Sequence, residues 1–251
     1  MNSIDILVFA PHPDDAEMCC GGFLLKARDA GKKIVVVDLT QGEMGTRGSV
    51  AIRRKEAAAA SKLMCLVARE NLGLPDGHLQ DNDILRVALV KMMRKYRPEV
   101  VLVPHWEDQH PDHAAVGQAG IHAAFLAGVP KFDAASARGI ATQDRLPYRP
   151  RQILHYNNRY GIDANVVVDI STVMDAKYEL VKCFGTQFGP GPEPGKSHKS
   201  SEPQTKLSSD QFFDWLKGLH SFYGMQAGVK FGEAYCLKNP LCVSNIEAFF
   251  V

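Results

Sequence analysis

The chain has 251 residues, 45% of them hydrophobic and 23% charged, values of an ordinary globular protein that exclude collagen-like, coiled-coil and disordered readings. The 29 Lys and Arg against 28 Asp and Glu leave a formal charge of +1, and without a basic stripe for a phosphate backbone no nucleic-acid partner is expected. Mean hydropathy is −0.15 and no apolar run reaches the ~20 residues of a bilayer crossing, so no membrane partner is expected either.

Residues 4–10 and 34–39 are short, β-branched, nearly continuous apolar runs, the pattern of strands buried on both faces of a parallel sheet. The first has no basic leader, so no export signal is read. The six cysteines, at 19, 20, 65, 183, 236 and 242, form no CxxC pair and read as reduced, mostly buried thiols of a cytoplasmic protein. Between the two strands, residues 15–30 carry apolar side chains at Met18, Leu24, Leu25 and Ala27, with Gly31 suited to end a helix. Helices are further predicted over 50–66, 81–96, 112–127, 172–184 and 209–225, and strands within 67–74, 100–104, 152–156, 165–170 and 234–237. This alternation predicts an α/β fold: a single-domain, doubly wound, Rossmann-like sheet, mostly parallel and flanked by helices, spanning residues 1–251. Residues 185–208 break the pattern with Gly185, Gly189, Gly191 and Gly195 among Pro190, Pro192, Pro194 and Pro203. That composition predicts a flexible loop, either a lid or simply mobile.

Two short motifs carry the chemistry. Residues 10–17, APHPDDAE, stand where the first strand ends and its helix begins, and residues 110–113, HPDH, stand at a helix start after the strand over 100–104. Taken singly, each is explained by helix punctuation, since Pro and Asp favour helix N-termini. In the common 3-2-1-4 strand order, however, the two strands are neighbours, and their carboxyl ends open a crevice where the winding reverses. His12 and Asp15, three residues apart around a turn, can aim at one point, and His113 can approach it from the adjacent loop. Two imidazoles and one carboxylate with open positions make a catalytic rather than structural metal site. Asp14 then falls to general base, and His110, when protonated and held so by Asp112, to stabilising the oxyanion or protonating a leaving amine. A bound divalent ion lowers the pKa of its water to about 7, which makes hydrolysis of an amide feasible at neutral pH.

Through these two motifs the sequence resembles the LmbE-like, or PIG-L, zinc-dependent N-acetylglucosamine deacetylases. The likeness extends through Thr40-Gln41-Gly42-Glu43, Arg53 and Glu56, and Leu74-Pro75-Asp76-Gly77. Residues 1–22 and the run GVKFGEAY look most like the bacillithiol branch, which deacetylates N-acetylglucosaminyl malate. The resemblance implies His12, Asp15 and His113 as zinc ligands, Asp14 as base, His110 with Asp112 as the charge-stabilising acid pair, and Arg53 and Glu43 as substrate contacts. It also implies a small-molecule N-acetylglucosaminide substrate and a homo-oligomer, a hexamer in the bacillithiol type. Arg53 has a simpler reading as half of an i,i+3 surface pair with Glu56. One departure is Cys19, which stands where the family has glycine.

Several alternatives stay open. Two His and one carboxylate also suit Fe2+. The aglycone can be malate, chitobiose, inositol or a lipid, and an intact triad also serves a non-catalytic metal- or sugar-binding protein. No GxGxxG or P-loop follows the first strand, so a nucleotide enzyme is not expected.

Overall fold

A computed structural model of the chain describes residues 3–132, 146–157, 159, 161, 163–188 and 202–241. Its elements in chain order are β1 (Ile6–Ala10), α1 (Asp15–Asp29), β2 (Ile34–Thr40), α2 (Val50–Leu63), β3 (Ala68–Leu74), α3 (Asp83–Tyr96), β4 (Val100–Pro104), α4 (Pro111–Ala127), β5 (Gln152–Tyr156), β6 (Val166–Asp169), α5 (Met174–Lys182), α6 (Phe212–Gln226) and β7 (Gly232–Cys236). The strands form one sheet in the order β3-β2-β1-β4-β5-β7-β6. The first five run parallel, with Val8 paired to both Val36 and Leu102. The expected doubly wound, mostly parallel α/β fold is present.

The continuous apolar run of β1 follows from burial on two sides. Its Ile6, Val8 and Ala10 join a core with Leu24 of α1, Leu180 of α5 and Leu216 of α6. Leu7 and Phe9, pointing the other way, join Leu89 and Met93 of α3 and Val116 and Ala123 of α4. Both residue sets are needed because alternate side chains leave opposite faces. α4 lies so close to β4 that a Cβ at Gly117 would stand 2.7 Å from the carbonyl oxygen of His105. That close approach seats the first turn of α4 over the carboxyl end of β4.

Two features depart from the sequence reading. β7 runs antiparallel and is inserted between β5 and β6 rather than extending the sheet in chain order. α1 is interrupted at Cys20 (φ −134°, ψ 17°). The Glu233 carboxylate of β7 enters this break and accepts hydrogen bonds from the Gly22 and Phe23 amides at 2.7 and 2.6 Å. Gly22 permits the approach, since a Cβ there would lie 2.6 Å from Ile170 Cγ2. Within the stretch 185–208, residues 189–201 lie outside the described ones, as does Cys242, and the described part holds no helix or strand. Among the described residues no helix is long and apolar enough to cross a membrane.

Candidate active site

β1 and β4 are neighbours, and the two motifs meet at their carboxyl ends. Pro11, just past β1, is pinned to β2 by Thr40, whose amide and hydroxyl both donate to the Pro11 carbonyl. The next residues curl back: the His12 amide donates to Asp15 Oδ2 at 2.9 Å. Asp14 takes φ 139°, ψ −23°, a region that costs a non-glycine residue on the order of 1–3 kcal/mol and is held only where surrounding structure enforces it. Beneath this turn, Arg69 bonds both Asp38 oxygens at 2.8 and 2.9 Å and Glu17 at 2.5 Å. All three are nearly or wholly buried, so the floor of the site is an ionic layer, with Glu17 Oε2 left without a hydrogen-bond partner.

Asp15 Oδ2 is the point of convergence. His12 Nδ1 and His113 Nε2 each stand 3.2 Å from it, and one ligand atom from each residue lies within 4.8 Å of the others. Ligands around a tetrahedral divalent ion at ~2.0–2.1 Å are separated by about 3.4 Å, so the three side chains fit such an ion with little rearrangement. The charge of the surroundings agrees. Burial alone would depress the His12 imidazole, but Asp112, Asp15 and Asp76 hold it up, to about 12. His113, also opposed by burial, is raised to about 9 by Asp15 and Asp108. Asp15 is held well below the usual carboxylate range by the two imidazoles, against its burial. The pocket is anionic and draws in positive charge, as a cation site must.

Asp14 lies beside this point, 8% exposed. Burial pushes its carboxyl up to about 7, with Asp15 adding to the rise and the Arg53 guanidinium opposing it. A carboxylate poised near neutrality suits general-base work. Arg53 is buried rather than a surface residue: its Nη1 donates to the Pro13 carbonyl at 3.0 Å and to Asp14 Oδ2 at 3.1 Å. Its i,i+3 neighbour Glu56 is engaged elsewhere, accepting from the amide and hydroxyl of Thr186.

The Asp112 carboxylate lies within 4.8 Å of the His110 ring but makes no hydrogen bond to it. The Asp112 backbone amide, not its carboxylate, meets His110, donating to Nδ1 at 3.2 Å as a helix cap. With Nδ1 accepting, the proton of the neutral ring sits on Nε2, and a second ring proton would face an N–H donor. Burial and the neighbouring His113 and His12 lower the His110 pKa further. Asp15 and Asp112 oppose that shift, and the balance favours the neutral ring, which donates through Nε2. The Asp112 carboxylate turns instead to His12 Nε2 at 3.2 Å. Glu43 is exposed and not among the residues that line the cavity; its Oε1 accepts from the Asp76 amide at 2.9 Å. Cys19 is buried, and burial raises its thiol pKa; it belongs neither to the group His12, Asp15 and His113 nor to the second group able to hold a metal, His12, His110 and Asp112.

Two carboxylates were missed as site residues. Asp76 Oδ1 lies 3.2 Å from His12 Nε2, and Asp108 Oδ2 lies 3.5 Å from His113 Nδ1. The sequence held no periodicity that could have found them, since both sit in irregular loops. A cavity of about 1280 Å³ opens over the site, above the ~300–1,000 Å³ usual for small-molecule pockets and roomy enough for a sugar with a substituent. Arg159, Lys206, Phe212 and Trp215 line it along with the motif residues.

Residues 7–124 match the family model described as GlcNAc-PI de-N-acetylase. The chain is 30% identical over 238 residues, 91% of its length and 80% of the relative's, to a diacetylchitobiose deacetylase of Thermococcus kodakarensis. It is 27% identical over 201 residues, 72% of its length and 83% of the relative's, to a probable N-acetyl-alpha-D-glucosaminyl L-malate deacetylase 2 of Bacillus cereus. Among solved structures, the conserved protein TT1542 of Thermus thermophilus superposes with a TM-score of 0.81 at 31% identity, covering 97% of this chain and 98% of that one.

Proposed function

The chain belongs to the PIG-L, or LmbE-like, deacetylase family, and from that premise we propose that Asp14, His110 and the group His12, Asp15 and His113 carry out hydrolysis of the acetamide of an N-acetylglucosaminyl compound. The enzyme is a hydrolase of the metal-dependent deacetylase kind. The observation that carries the assignment of residues is the convergence of His12 and His113 on Asp15 at 3.2 Å, with the buried Asp14 beside them.

His12, Asp15 and His113 would hold the metal ion. When bound, a divalent ion supplies Lewis-acid polarisation and lowers the pKa of an attacking water. Asp14 accepts the proton of that water; its strained backbone and its bond to Arg53 fix the direction from which it does so. His110, capping α4 through Nδ1, presents Nε2–H to the oxyanion of the tetrahedral adduct. Arg53, wedged between Asp14 and the Pro13 carbonyl, steadies the base and keeps its remaining donors for the substrate.

We read the substrate as N-acetylglucosaminyl malate, a step of bacillithiol biosynthesis. Arg159 and Lys206 on the cavity wall suit the two carboxylates of that aglycone. A second reading, a disaccharide, is favoured by Phe212 and Trp215 on the same wall and by the chitobiose-deacetylating relative. Zinc as the metal, with Fe2+ as the alternative in the cell, self-association and cytoplasmic residence are carried into this reading from the family resemblance.

The test is acetate release from N-acetylglucosaminides that differ only in aglycone. The native protein should turn over the malate compound fastest. Asp14→Asn should lose roughly 10²–10⁴-fold in kcat while retaining its metal. Equal loss of metal and activity in Asp14→Asn, or no acetate release from any of these compounds, would overturn the assignment.

A further inference from the structure

The His12 imidazole has two occupied edges. Nδ1 faces Asp15, where the ion is expected, and Nε2 faces the Asp112 carboxylate at 3.2 Å. Asp112 is wholly buried and cannot swing, because the Gly77 amide donates to its Oδ2 at 2.8 Å and the Leu79 amide to its Oδ1 at 3.0 Å. It is therefore an aimed acceptor, built by a loop from β3 and the first turn of α4, with one free lone-pair direction toward His12. His113 shows the same plan: Nε2 faces Asp15 and Nδ1 faces Asp108. Asp108 is itself fixed by the His110 amide at 2.8 Å.

We propose that Asp112 is the positioning residue of His12, holding Nε2 protonated and Nδ1 free to ligate, and that it does not serve His110. This rests on the reading of His12 as a metal ligand. A carboxylate at the far nitrogen selects the tautomer, locks the ring plane and raises the basicity of the ligating nitrogen, so its loss weakens metal binding. The alternative role, stabilising a charged His110, has the weaker geometry: the Asp112 carboxylate lies within 4.8 Å of the His110 ring but makes its bond to His12 Nε2 at 3.2 Å, and the group that meets His110 Nδ1 is the Asp112 backbone amide. Asp76, the second carboxylate at His12 Nε2, borders the cavity and takes one amide, that of Met44, so it is the less rigid of the two.

The experiment measures Zn2+ affinity of metal-free protein by competition with a chromophoric chelator, together with the pH profile of acetate release at saturating metal. Asp112→Asn should weaken Zn2+ binding by about 10–100-fold and leave the limb of the pH profile that His110→Ala abolishes in place. Unchanged Zn2+ affinity, or a shift of that limb alone, overturns the proposal. His12→Ala is the control for the premise: if it leaves Zn2+ affinity intact, the ligand reading itself has failed. Should Asp112→Asn not fold, the zinc-loaded native protein decides. Its nitrogen-15 histidine spectrum should show His12 as the Nε2–H tautomer, with that proton slow to exchange. A His12 protonated on Nδ1, or one whose Nε2 proton exchanges freely, overturns the proposal equally.

Discussion

Two groups of buried ionisable side chains lie in this molecule, and their contrast explains why one is a site and the other is not. At the carboxyl ends of β1 and β4, Asp14, Asp15, Asp76, Asp108 and Asp112 surround His12 and His113, with Arg53 as the local guanidinium, and all but Asp112 line a cavity. At the other group, Lys177 of α5 bonds Glu233 of β7 at 2.5 Å and His220 of α6 at 2.8 Å. Tyr235 completes Glu233 at 2.9 Å, and His220 Nδ1 meets the Gly232 carbonyl at 3.1 Å. This second group is one cation, one anion and a neutral imidazole, and none of it lines the cavity. Burial of charge is common to both. The first group is distinguished by surplus negative charge and by acceptors converging on a shared point, which leaves work for a cation and a substrate. The second is closed, and its role is to hold α1 at the break where Gly22 and Phe23 donate to Glu233.

Substitutions should separate the two groups. The largest effect is expected from His113→Ala, which removes one of three converging donors: elemental analysis should find the metal lost and acetate release should fall to background. Retention of stoichiometric metal would erase the distinction between the groups. Next is Lys177→Met, which strands the Glu233 carboxylate in a dry interior and should cost about 3–5 kcal/mol of stability in urea denaturation. Metal content and kcat of the remaining folded protein should be unchanged, and Lys177→Met with Glu233→Gln should recover part of the stability. Loss of kcat without loss of stability would show that the closed group acts on the chemistry.

The smallest effect is a pH dependence. Burial and the Lys177 cation hold His220 well below its usual pKa, so it is neutral in the native protein. The unfolded chain gains a proton at this residue as pH falls through about 6.5. Stability must therefore decline on acidification, by at most about 1.4 kcal/mol per pH unit from this group. The denaturation midpoints of the native protein and His220→Gln should draw together between pH 8 and pH 5. Parallel curves would mean that His220 does not titrate differently in the two states.

The legibility of these features in the sequence differed for physical reasons. The convergence of His12, Asp15 and His113 is legible because each stands within a short motif at a strand end, and topology brings such ends together. The bond from the Asp112 carboxylate to His12 is not legible, because proximity along a helix start says nothing about which way a carboxylate turns; the Gly77 and Leu79 amides, from a distant loop, decide that. Glu233 lies in the run GVKFGEAY, and the break it makes in α1, more than 200 residues away in sequence, has no local signal. Arg53 and Glu56 have the spacing of a surface pair, yet each is taken by a partner from another element.

Local pattern was enough for the alternation of strands and helices and for the motifs at the strand ends, since apolar periodicity and strand-end motifs are properties of neighbouring residues; the order of the central strands followed from the commonest order of doubly wound sheets. Tertiary contacts alone decided the strained backbone of Asp14, the burial of Arg53, the antiparallel seat of β7 and the orientation of Asp112. These depend on amides, carbonyls and charges brought from remote segments, whose positions exist only once the sheet has closed around them.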